Sequence, residues 1–486
     1  MLPSDRLERV SSWGGATSAM SWVYRPTTVD GLHEVLALAR AEGRNVGLRG
    51  GGQSYGDAAT NAENFCLDTS RMNRILGWDP ATGRIRCEPG VTIRQLWQYA
   101  VEDGWWPPVV SGTMHVTLGG AAAMNIHGKN NWKVGTIGEH IDEFELLLPS
   151  GEIVRCSREE RPELFHAAIG GFGMLGCFTS ITLRMKRVHS GLIEVDPVPV
   201  RCLDEMLDVD PVPVRCLDEM FDVVESRMDR ADYLVGWMDT FARGGELGRG
   251  LVHQANYLHE GEDRAAAQTL RAANQELPPT LMGVVPKSIM WALMRPFTND
   301  PGVRLVNFAK YRMSMLEGQH RYRQSHAGFA FLLDYVPEWK KAYGPGGLIQ
   351  YQSFIPADAA RAVYREILER SHRVGLTPYL GVFKRHRLDP FLMTHAVDGY
   401  SLALDFKVTA ANRRRLWEHA GELTRVVLDA GGRFYFAKDS TLTAGQLERY
   451  RAEDRVQRFL ALKRELDPDG LLQTDLWRRL FPAKET

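Results

Sequence analysis

The chain has 486 residues, and its 59 Lys and Arg against 60 Asp and Glu give a formal net charge of −1. This near-balance lacks the basic excess typical of nucleic-acid-binding proteins, so we expect no nucleic-acid partner. Hydrophobic residues make up 44% and charged residues 24%, which excludes a disordered or fibrous chain. The length predicts more than one domain.

The first 190 residues alternate short strands with amphipathic helices. The segment 29–43 predicts a helix with Leu32, Val35, Leu36 and Ala39 on one face. The elements predicted next are a strand at 45–48, a helix at 92–104, a strand pair at 144–149 and 152–156, a helix at 162–168 and a strand at 178–185. This order has no regular βαβ repeat and favours the α+β class.

A tandem repeat follows, because Val195–Met206 recurs at once as Val209–Met220. Two copies are too few for a solenoid. We interpret them as a local duplication in a surface loop at a domain junction.

The apolar segment Leu281–Phe297 is interrupted by Pro286, Lys287 and Arg295. It fits either a buried helix or a mobile amphipathic lid that touches lipid. The remaining predicted elements are helices at 356–375 and 410–431, a strand at 434–437 and a charged helix at 444–466.

The cysteines and the N-terminus bear on the cellular compartment. None of the six cysteines forms a C-x-x-C pair, so the sequence predicts no zinc or other metal site. The first residues, MLPSDRLERV, carry charges where a signal peptide needs an apolar core, and no run of about 18 apolar residues occurs. We therefore expect a cytoplasmic protein, at most peripheral at the inner face of a membrane.

Two glycine-rich clusters suggest ligand-binding loops. The first, Arg49-Gly-Gly-Gly-Gln-Ser-Tyr-Gly-Asp57, follows a predicted strand, and its glycines would let backbone N–H groups surround a phosphate. The second runs from Ser111 (SGTMHVTLGG) into AAAMNIHGKN, where small residues would let a flat ring lie against the backbone. A plain glycine-rich turn remains the alternative for the first, and His127 in the second fits a structural role as well as a catalytic one.

A third cluster, Gly171-Phe-Gly-Met-Leu-Gly176, matches the dinucleotide fingerprint G-x-G-x-x-G. It follows a predicted helix and leads into a strand, the reverse of the order that a Rossmann domain requires, so we reject that fold. The sequence contains neither G-x-x-x-x-G-K-[ST] nor H-E-x-x-H, which argues against phosphoryl transfer and zinc-protease chemistry.

The three clusters, in this order and spacing, resemble the FAD-binding domain of the vanillyl-alcohol-oxidase family, whose FAD domain is of the PCMH type. The stretches AYGPGGLIQYQSFIP, VFK and FYFAKDS extend the resemblance over nearly the whole chain. It implies a two-domain α+β flavoprotein with a FAD-binding domain at 1–190. A substrate-binding domain with an antiparallel sheet would span 191–432, and a C-terminal segment at 433–486 would return to the FAD-binding domain.

The resemblance also implies the site residues. Those expected to touch FAD are Arg49, Gly50, Gly51, Gly52, Gln53, Ser54, Tyr55, Gly56, Asp57, Ala58, Gly112, Thr117, Leu118, Gly119, Gly120, Met124, Asn125, Ile126, His127, Cys177 or Phe178, and Tyr435. The catalytic residues would be Lys438, Tyr55 and His127. The residues expected to contact substrate are Gln350, Gln352, Lys384, Ser401 and Lys438. Of these, Gln350 and Gln352 alternate along a strand and so share a face.

Three positions depart from the pattern of relatives. Gln53 stands where many of them attach the flavin through a histidine, so we predict non-covalent FAD. Ser401 and Ala403 replace an asparagine and a cysteine, which leaves the identity of the sugar open.

The resemblance implies oxidation of a secondary hydroxyl of a sugar, at C2′ of a ribose linked to a polyprenyl phosphate. The 2′-keto sugar would be the first half of an epimerisation, which a separate NADH-dependent reductase completes. Lys438 and Tyr55 would handle the hydroxyl proton, with Lys438 acting either as a base of lowered pKa or as a stabilising cation. Two other hypotheses are a soluble alditol or sugar-lactone oxidase that uses O₂, and a non-catalytic scaffold.

Overall fold

The computed structural model of the protein describes residues 2–198, 213–281, 285–316 and 321–482. Short strands and helices alternate along the whole chain. The strands are β1 Leu7–Ser11, β2 Ser18–Tyr24, β3 Val46–Arg49, β4 Phe65–Asp68, β5 Ile75–Asp79, β6 Arg84–Cys87, β7 Trp105–Trp106, β8 Ile141–Leu147, β9 Ile153–Ser157, β10 Cys177–Arg184, β11 Lys186–Arg187, β12 Leu192–Val198, β13 Pro213–Val214, β14 Tyr233–Met238, β15 Gly250–Tyr257, β16 Thr280–Leu281, β17 Val285–Pro286, β18 Tyr322–Ser325, β19 Leu348–Pro356, β20 Leu380–His386, β21 Gly399–Lys407 and β22 Arg433–Phe434. The helices are α1 Val29–Ala41, α2 Ile93–Ala100, α3 Leu118–Ala123, α4 Asn131–Val134, α5 Pro162–Ala168, α6 Leu217–Arg227, α7 Ala266–Thr269, α8 Met290–Met294, α9 Asp300–Leu316, α10 His326–Ala330, α11 Ala357–Arg373, α12 Arg413–Asp429, α13 Glu448–Arg451, α14 Asp454–Leu466 and α15 Asp475–Leu480.

Two larger sheets and the two-stranded sheet β11-β7 form the N-terminal part. The first has the order β1-β2-β4-β3, with β4 parallel to both β2 and β3. The second, β5-β6-β10-β8-β9, is antiparallel. Helix α1 begins after Thr28, whose side chain accepts a hydrogen bond from the backbone N–H of Gly31, and its predicted apolar face is buried against the first sheet. The periodicity therefore predicted both the helix and the face that it buries.

The largest sheet lies in the second half of the chain. Its order is β18-β12-β15-β14-β20-β21-β19-β22, its named pairs are antiparallel, and β13 pairs with β15. Helices α11 and α12 cover one face, where the hydroxyls of Tyr351 and Thr424 lie 3.4 Å apart. Because side chains alternate along β19, Gln350 and Gln352 point to the opposite face. The α+β class and the antiparallel second sheet are confirmed.

The C-terminal segment runs along the first sheet. The backbone N–H of Val46 donates to Leu471 (2.7 Å), and that of Gln473 donates to Val46 (3.0 Å). The N–H of Asp475 donates to Thr60 (3.0 Å). The domain boundaries at 190 and 432 stay predictions.

The structure corrects the prediction for the tandem repeat. The first copy begins in β12, and the second ends in α6, where Leu217 and Met220 are fully buried. The prediction of a surface loop is therefore wrong for these parts of the repeat, because the apolar residues of the second copy join the core. The remainder, 199–212, lies outside the described residues.

The structure also corrects two predictions on helices. Within 285–297 the chain forms the two-residue strand β17 and then short helical turns. About half of Leu293 and Phe297 is exposed, so the buried-helix interpretation is wrong. The helix at 444–466 is interrupted because Glu453 is extended and accepts a two-pronged salt bridge from Arg433. The strand at 434–437 is shorter than predicted, since the chain turns at Tyr435, whose carbonyl accepts from the N–H of Lys438.

Candidate active site

A cavity of about 450 Å³ lies between the glycine-rich loops and the uncovered face of the large sheet. Most of the predicted site residues line it. They are Arg49, Gly50, Gly51, Gly52, Gln53, Ser54, Tyr55, Ala58, Gly112, Thr117, Gly119, Gly120, Met124, Ile126, His127, Cys177, Phe178, Gln350, Gln352, Lys384, Tyr435 and Lys438. The structure thus brings together residues up to 389 positions apart in the chain.

Five predicted residues lie behind the cavity wall instead: Gly56, Asp57, Leu118, Asn125 and Ser401. Leu118 is part of the core, and Asp57 forms a salt bridge with Arg479. Asn125 accepts from the N–H of Gly138 (3.0 Å), and Ser401 accepts from Gln352 (3.2 Å). These side chains support the wall and do not form it.

The residues of the loop end of the cavity fit FAD. The two glycine-rich loops touch, with the N–H of Gly51 3.3 Å from the hydroxyl of Thr117. A Cβ on Gly50 would crowd the same hydroxyl, and one on Gly51 would meet the carbonyl of His115. Because only glycine permits this approach, the wall here is backbone, as a bound diphosphate requires.

The cavity wall carries positive charge without a carboxylate among its described residues. The cations are Arg49, Lys129, Lys310, Lys384 and Lys438. Burial and the nearby Lys384 lower the pKa of Lys438 to about 7, against the attraction of Asp405. Burial lowers the pKa of Lys384 to about 8, and burial with Lys384 lowers that of Lys129 to about 7. An anionic ligand would relieve this mutual repulsion.

A hydrogen-bonded group surrounds Gln350. Its amide nitrogen donates to Asp405 Oδ1 (2.5 Å) and lies 3.4 Å from the hydroxyl oxygen of Tyr55. Burial raises the pKa of Asp405 to about 7, which the hydrogen bond from Gln350 and the charge of Lys438 oppose. Burial and the Asp405 charge raise the pKa of Tyr55 well above its usual value, so its hydroxyl stays protonated at neutral pH.

His127 belongs to a chain of buried polar groups. Its Nε2 lies 3.1 Å from the amide nitrogen of Gln352, and its Nδ1 lies 3.0 Å from Nε2 of His395. Ser401 continues the chain, 2.7 Å from Nε2 of His386. Burial, and then the charge of His395, lowers the pKa of His127 well below the usual value. His127 is therefore neutral, with both ring nitrogens within hydrogen-bond distance of other side chains.

Sequence reasoning missed several residues of the site. Lys129 lies in the quoted stretch NIHGK, two residues after His127, and could have been found there. Asp405 follows Ser401 and Ala403 at the strand period of two, which was a usable signal. Lys310, on α9, lines the cavity without any local motif, because the tertiary fold alone brings it there.

Comparisons with known proteins agree with this geometry. The family described as FAD binding domain matches residues 20–157. Over 483 residues, which are 97% of each chain, the protein is 30% identical to the decaprenylphosphoryl-beta-D-ribose oxidase of Mycolicibacterium smegmatis. A putative D-arabinono-1,4-lactone oxidase of Neurospora crassa is 29% identical over 36% of this chain and 31% of its own. The L-gulonolactone oxidase of Bos taurus is 30% identical over 33% of this chain and 36% of its own.

The chain belongs to the vanillyl-alcohol-oxidase family of flavoproteins with a PCMH-type FAD-binding domain. It is an FAD-dependent oxidoreductase that acts on CH–OH groups. The predicted family, cofactor and enzyme class are confirmed.

Proposed function

We propose that this enzyme oxidises C2′ of a ribose carried on a polyprenyl phosphate, giving the 2′-keto sugar. The observation that carries the proposal is the excess of cations in the cavity, five against no carboxylate among the described wall residues. The FAD diphosphate accounts for two negative charges. With Lys438 neutral as the proton acceptor, the cations Arg49, Lys129, Lys310 and Lys384 remain. A phosphodiester on the sugar would supply a third negative charge, whereas a neutral alditol or lactone would leave two of these cations uncompensated.

The chain's own residues divide the work around the sugar. FAD, when bound, supplies the hydride acceptor. Lys438, whose pKa of about 7 provides a neutral amine near physiological pH, takes the proton of the hydroxyl that is oxidised. Tyr55 and Gln350 orient that hydroxyl, and Lys129, Lys310 and Lys384 bind the phosphate. A separate NADH-dependent reductase would consume the keto sugar to complete an epimerisation.

The experiment is a substrate trial with the purified flavoprotein. We expect a short-chain prenyl-phosphoryl-β-D-ribose to reduce the flavin anaerobically, and free ribose, alditols and sugar lactones to reduce it at least 100-fold more slowly. Faster reduction by a neutral alditol or lactone would contradict the proposal. It would favour the second candidate function, oxidation of a soluble alditol or sugar lactone with O₂. The lactone-oxidase relatives support that candidate over only about a third of the chain, too short a stretch to contain both the glycine-rich loops and β19.

We propose non-covalent attachment of the FAD. Gln53 uses its amide nitrogen to donate to the carbonyl of Gly51 (2.9 Å) and offers no nucleophile to the flavin. Acid precipitation should release the whole flavin absorbance into the supernatant. Absorbance that stays with the pellet would contradict this proposal.

We also propose that the segment 285–316 contacts a membrane surface. Eight of the sixteen exposed large apolar residues of the described chain lie in this segment, which includes α9, the helix that supplies Lys310 to the cavity. Lys287 is buried and Lys310 lines the cavity, but the segment also carries Arg295, Arg304 and Arg312 against the single acid Asp300. This basic excess suits an anionic lipid surface. None of the described helices is long and apolar enough to cross a membrane. A polyprenyl tail would leave the cavity beside this surface.

A further inference from the structure

Two glutamines on β19 face the cavity with their amides in one orientation. Gln350 and Gln352 are 5% and 3% exposed, and both line the wall. The amide nitrogen of each is bonded to protein groups. Each carbonyl oxygen Oε1 is buried and has no hydrogen-bond partner among the described residues. Buried acceptors are nearly always paired, so two unpaired ones on a cavity wall point to a ligand that donates hydrogen bonds.

Asp405 determines the orientation of the first amide. When Asp405 is ionised it only accepts hydrogen bonds, so the group 2.5 Å from its Oδ1 is then the NH₂ of Gln350. The reversed amide would place two acceptors against each other. Burial raises the pKa of Asp405 to about 7, so the observed orientation belongs to the ionised form, which the charge of Lys438 favours.

The tautomer of His127 sets the orientation of the second amide. Since His127 and His395 are both neutral, each carries one ring hydrogen. When His127 donates from Nδ1 to Nε2 of His395, its own Nε2 is left to accept from Gln352. The other N–H of Gln352 donates to Ser401, 3.2 Å away. In this tautomer Oε1 of Gln352 has no donor among the described residues, as Oε1 of Gln350 has none.

We propose that Asp405 and Ser401 are positioning residues that hold both glutamine carbonyls toward the cavity, where the pair selects a ligand with two hydroxyl donors. Residues i and i+2 of a strand lie about 7 Å apart, a spacing that two hydroxyls of one sugar ring can reach. The inference deepens the proposed function and rests on it for the identity of the sugar. It assigns Ser401 an indirect role, because that side chain lies behind Gln352 and not on the wall.

Binding is measured with the flavin-loaded enzyme, reduced anaerobically so that the bound sugar is not turned over. The probes are a short-chain prenyl-phosphoryl-β-D-ribose and its monodeoxy analogues. In the wild type, loss of a hydroxyl that faces either glutamine should weaken binding about 10-fold to 100-fold, because a buried acceptor loses its donor. Asp405→Asn should reduce the penalty to less than about threefold for one hydroxyl only, and Ser401→Ala should do so for the other. Equal penalties in both variants and the wild type would overturn the inference.

A second measurement needs no sugar and therefore separates this inference from the proposed substrate. In holoenzyme labelled with ¹⁵N-glutamine, the side-chain N–H of Gln350 should be shifted downfield by its carboxylate partner, with the assignment taken from Gln350→Met. The shift should disappear in Asp405→Asn and persist in Ser353→Ala, a buried control on the other face of β19. If the signal is present and the ribose probe does not bind, the proposed substrate is wrong and the amide orientation stands. If the wild type lacks the signal, the inference is overturned.

Discussion

At the scale of single residues, the charge of Lys438 depends on Lys384. Burial and the Lys384 cation hold the pKa of Lys438 at about 7, so the neutral amine becomes the main form as the pH rises through 7. We therefore expect the rate of flavin reduction to increase with pH and to level off above about pH 8. Lys384→Gln removes a cation that opposes protonation, so the pKa of Lys438 rises and the midpoint moves to higher pH. Stopped-flow pH profiles measure this shift.

The control for that prediction is Lys341→Gln. Lys341 is exposed and forms a salt bridge with Glu338, so its loss should leave the midpoint in place. A midpoint that moves to lower pH in Lys384→Gln would contradict the assigned cause. Full turnover in Lys438→Ala with bound FAD would contradict the role of Lys438 itself.

The sequence predicted the positions of site residues well where a motif determines the backbone. It predicted them poorly where a distant residue determines which way a side chain points. The glycines at 50–52 line the cavity as their spacing indicated. Asp57 lies in the same motif, yet its carboxylate turns away to Arg479, 422 positions later in the chain. Arg479 lies outside every local pattern that includes Asp57. The sequence therefore could not show whether Asp57 contacts the ligand or stabilises the loop that does.

At the scale of elements, the first glycine-rich loop packs directly on the turn that carries Lys438. The N–H of Tyr55 donates to the carbonyl of Ala437 (2.8 Å), and a Cβ on Gly56 would overlap the carbonyl oxygen of Asp439. Gly56→Ala must therefore push the backbone of the glycine-rich loop away from the backbone at Asp439, although the site requires the two in contact. We expect FAD affinity to fall at least 10-fold, with a lower melting temperature, measured by flavin titration and thermal unfolding.

The matched control is Gly245→Ala. A Cβ at this glycine would have no heavy atom within 4 Å, so we expect wild-type FAD affinity and a melting temperature within about 2 °C. Unchanged FAD affinity in Gly56→Ala would show that the loop and the Lys438 turn move apart without cost to the cofactor site.

The exposed apolar residues of α8 and α9 allow a test of membrane contact. The double variant Leu293→Ser/Leu305→Ser removes two side chains that are 52% and 60% exposed, so folding should be unaffected. We expect the fraction bound to vesicles containing anionic phosphatidylglycerol to fall at least fivefold in co-sedimentation. Leu388→Ser, at an equally exposed leucine outside the segment, should bind as the wild type does. Wild-type binding by the double variant would contradict the proposed contact.

Element-scale prediction from the sequence followed the strength of local patterns. The amphipathic helices α1, α11 and α12 lie within the predicted ranges, because each buries a regular apolar face. The prediction of one charged helix at 444–466 did not account for Glu453. Its salt bridge with Arg433 interrupts the helix. That partner belongs to β22, and only the tertiary fold brings it near.

At the scale of the whole molecule, the C-terminal segment joins the two parts of the active site. Arg479 on α15 forms salt bridges with Asp57, at the end of the first glycine-rich loop, and with Asp439, next to Lys438. The Asp57 contact uses two nitrogens, at 2.8 and 2.6 Å. One side chain thus connects the first glycine-rich loop to the turn that carries Lys438 across a largely buried interface.

These two salt bridges predict that Arg479 affects both the affinity for FAD and the rate of flavin reduction, which depends on Lys438. Arg479→Gln leaves two buried carboxylates, Asp57 and Asp439, close together without a cation, so at least one must take up a proton or move. We expect FAD affinity to fall several-fold and flavin reduction to slow, with both defects smaller at pH 5.5 than at pH 8, because protonation relieves the repulsion. Arg479→Lys keeps the charge but not the paired geometry, so its defects should be intermediate. Flavin titration and anaerobic reduction at the two pH values test this, and equal defects at both would show that Arg479 acts through packing and not through its charge.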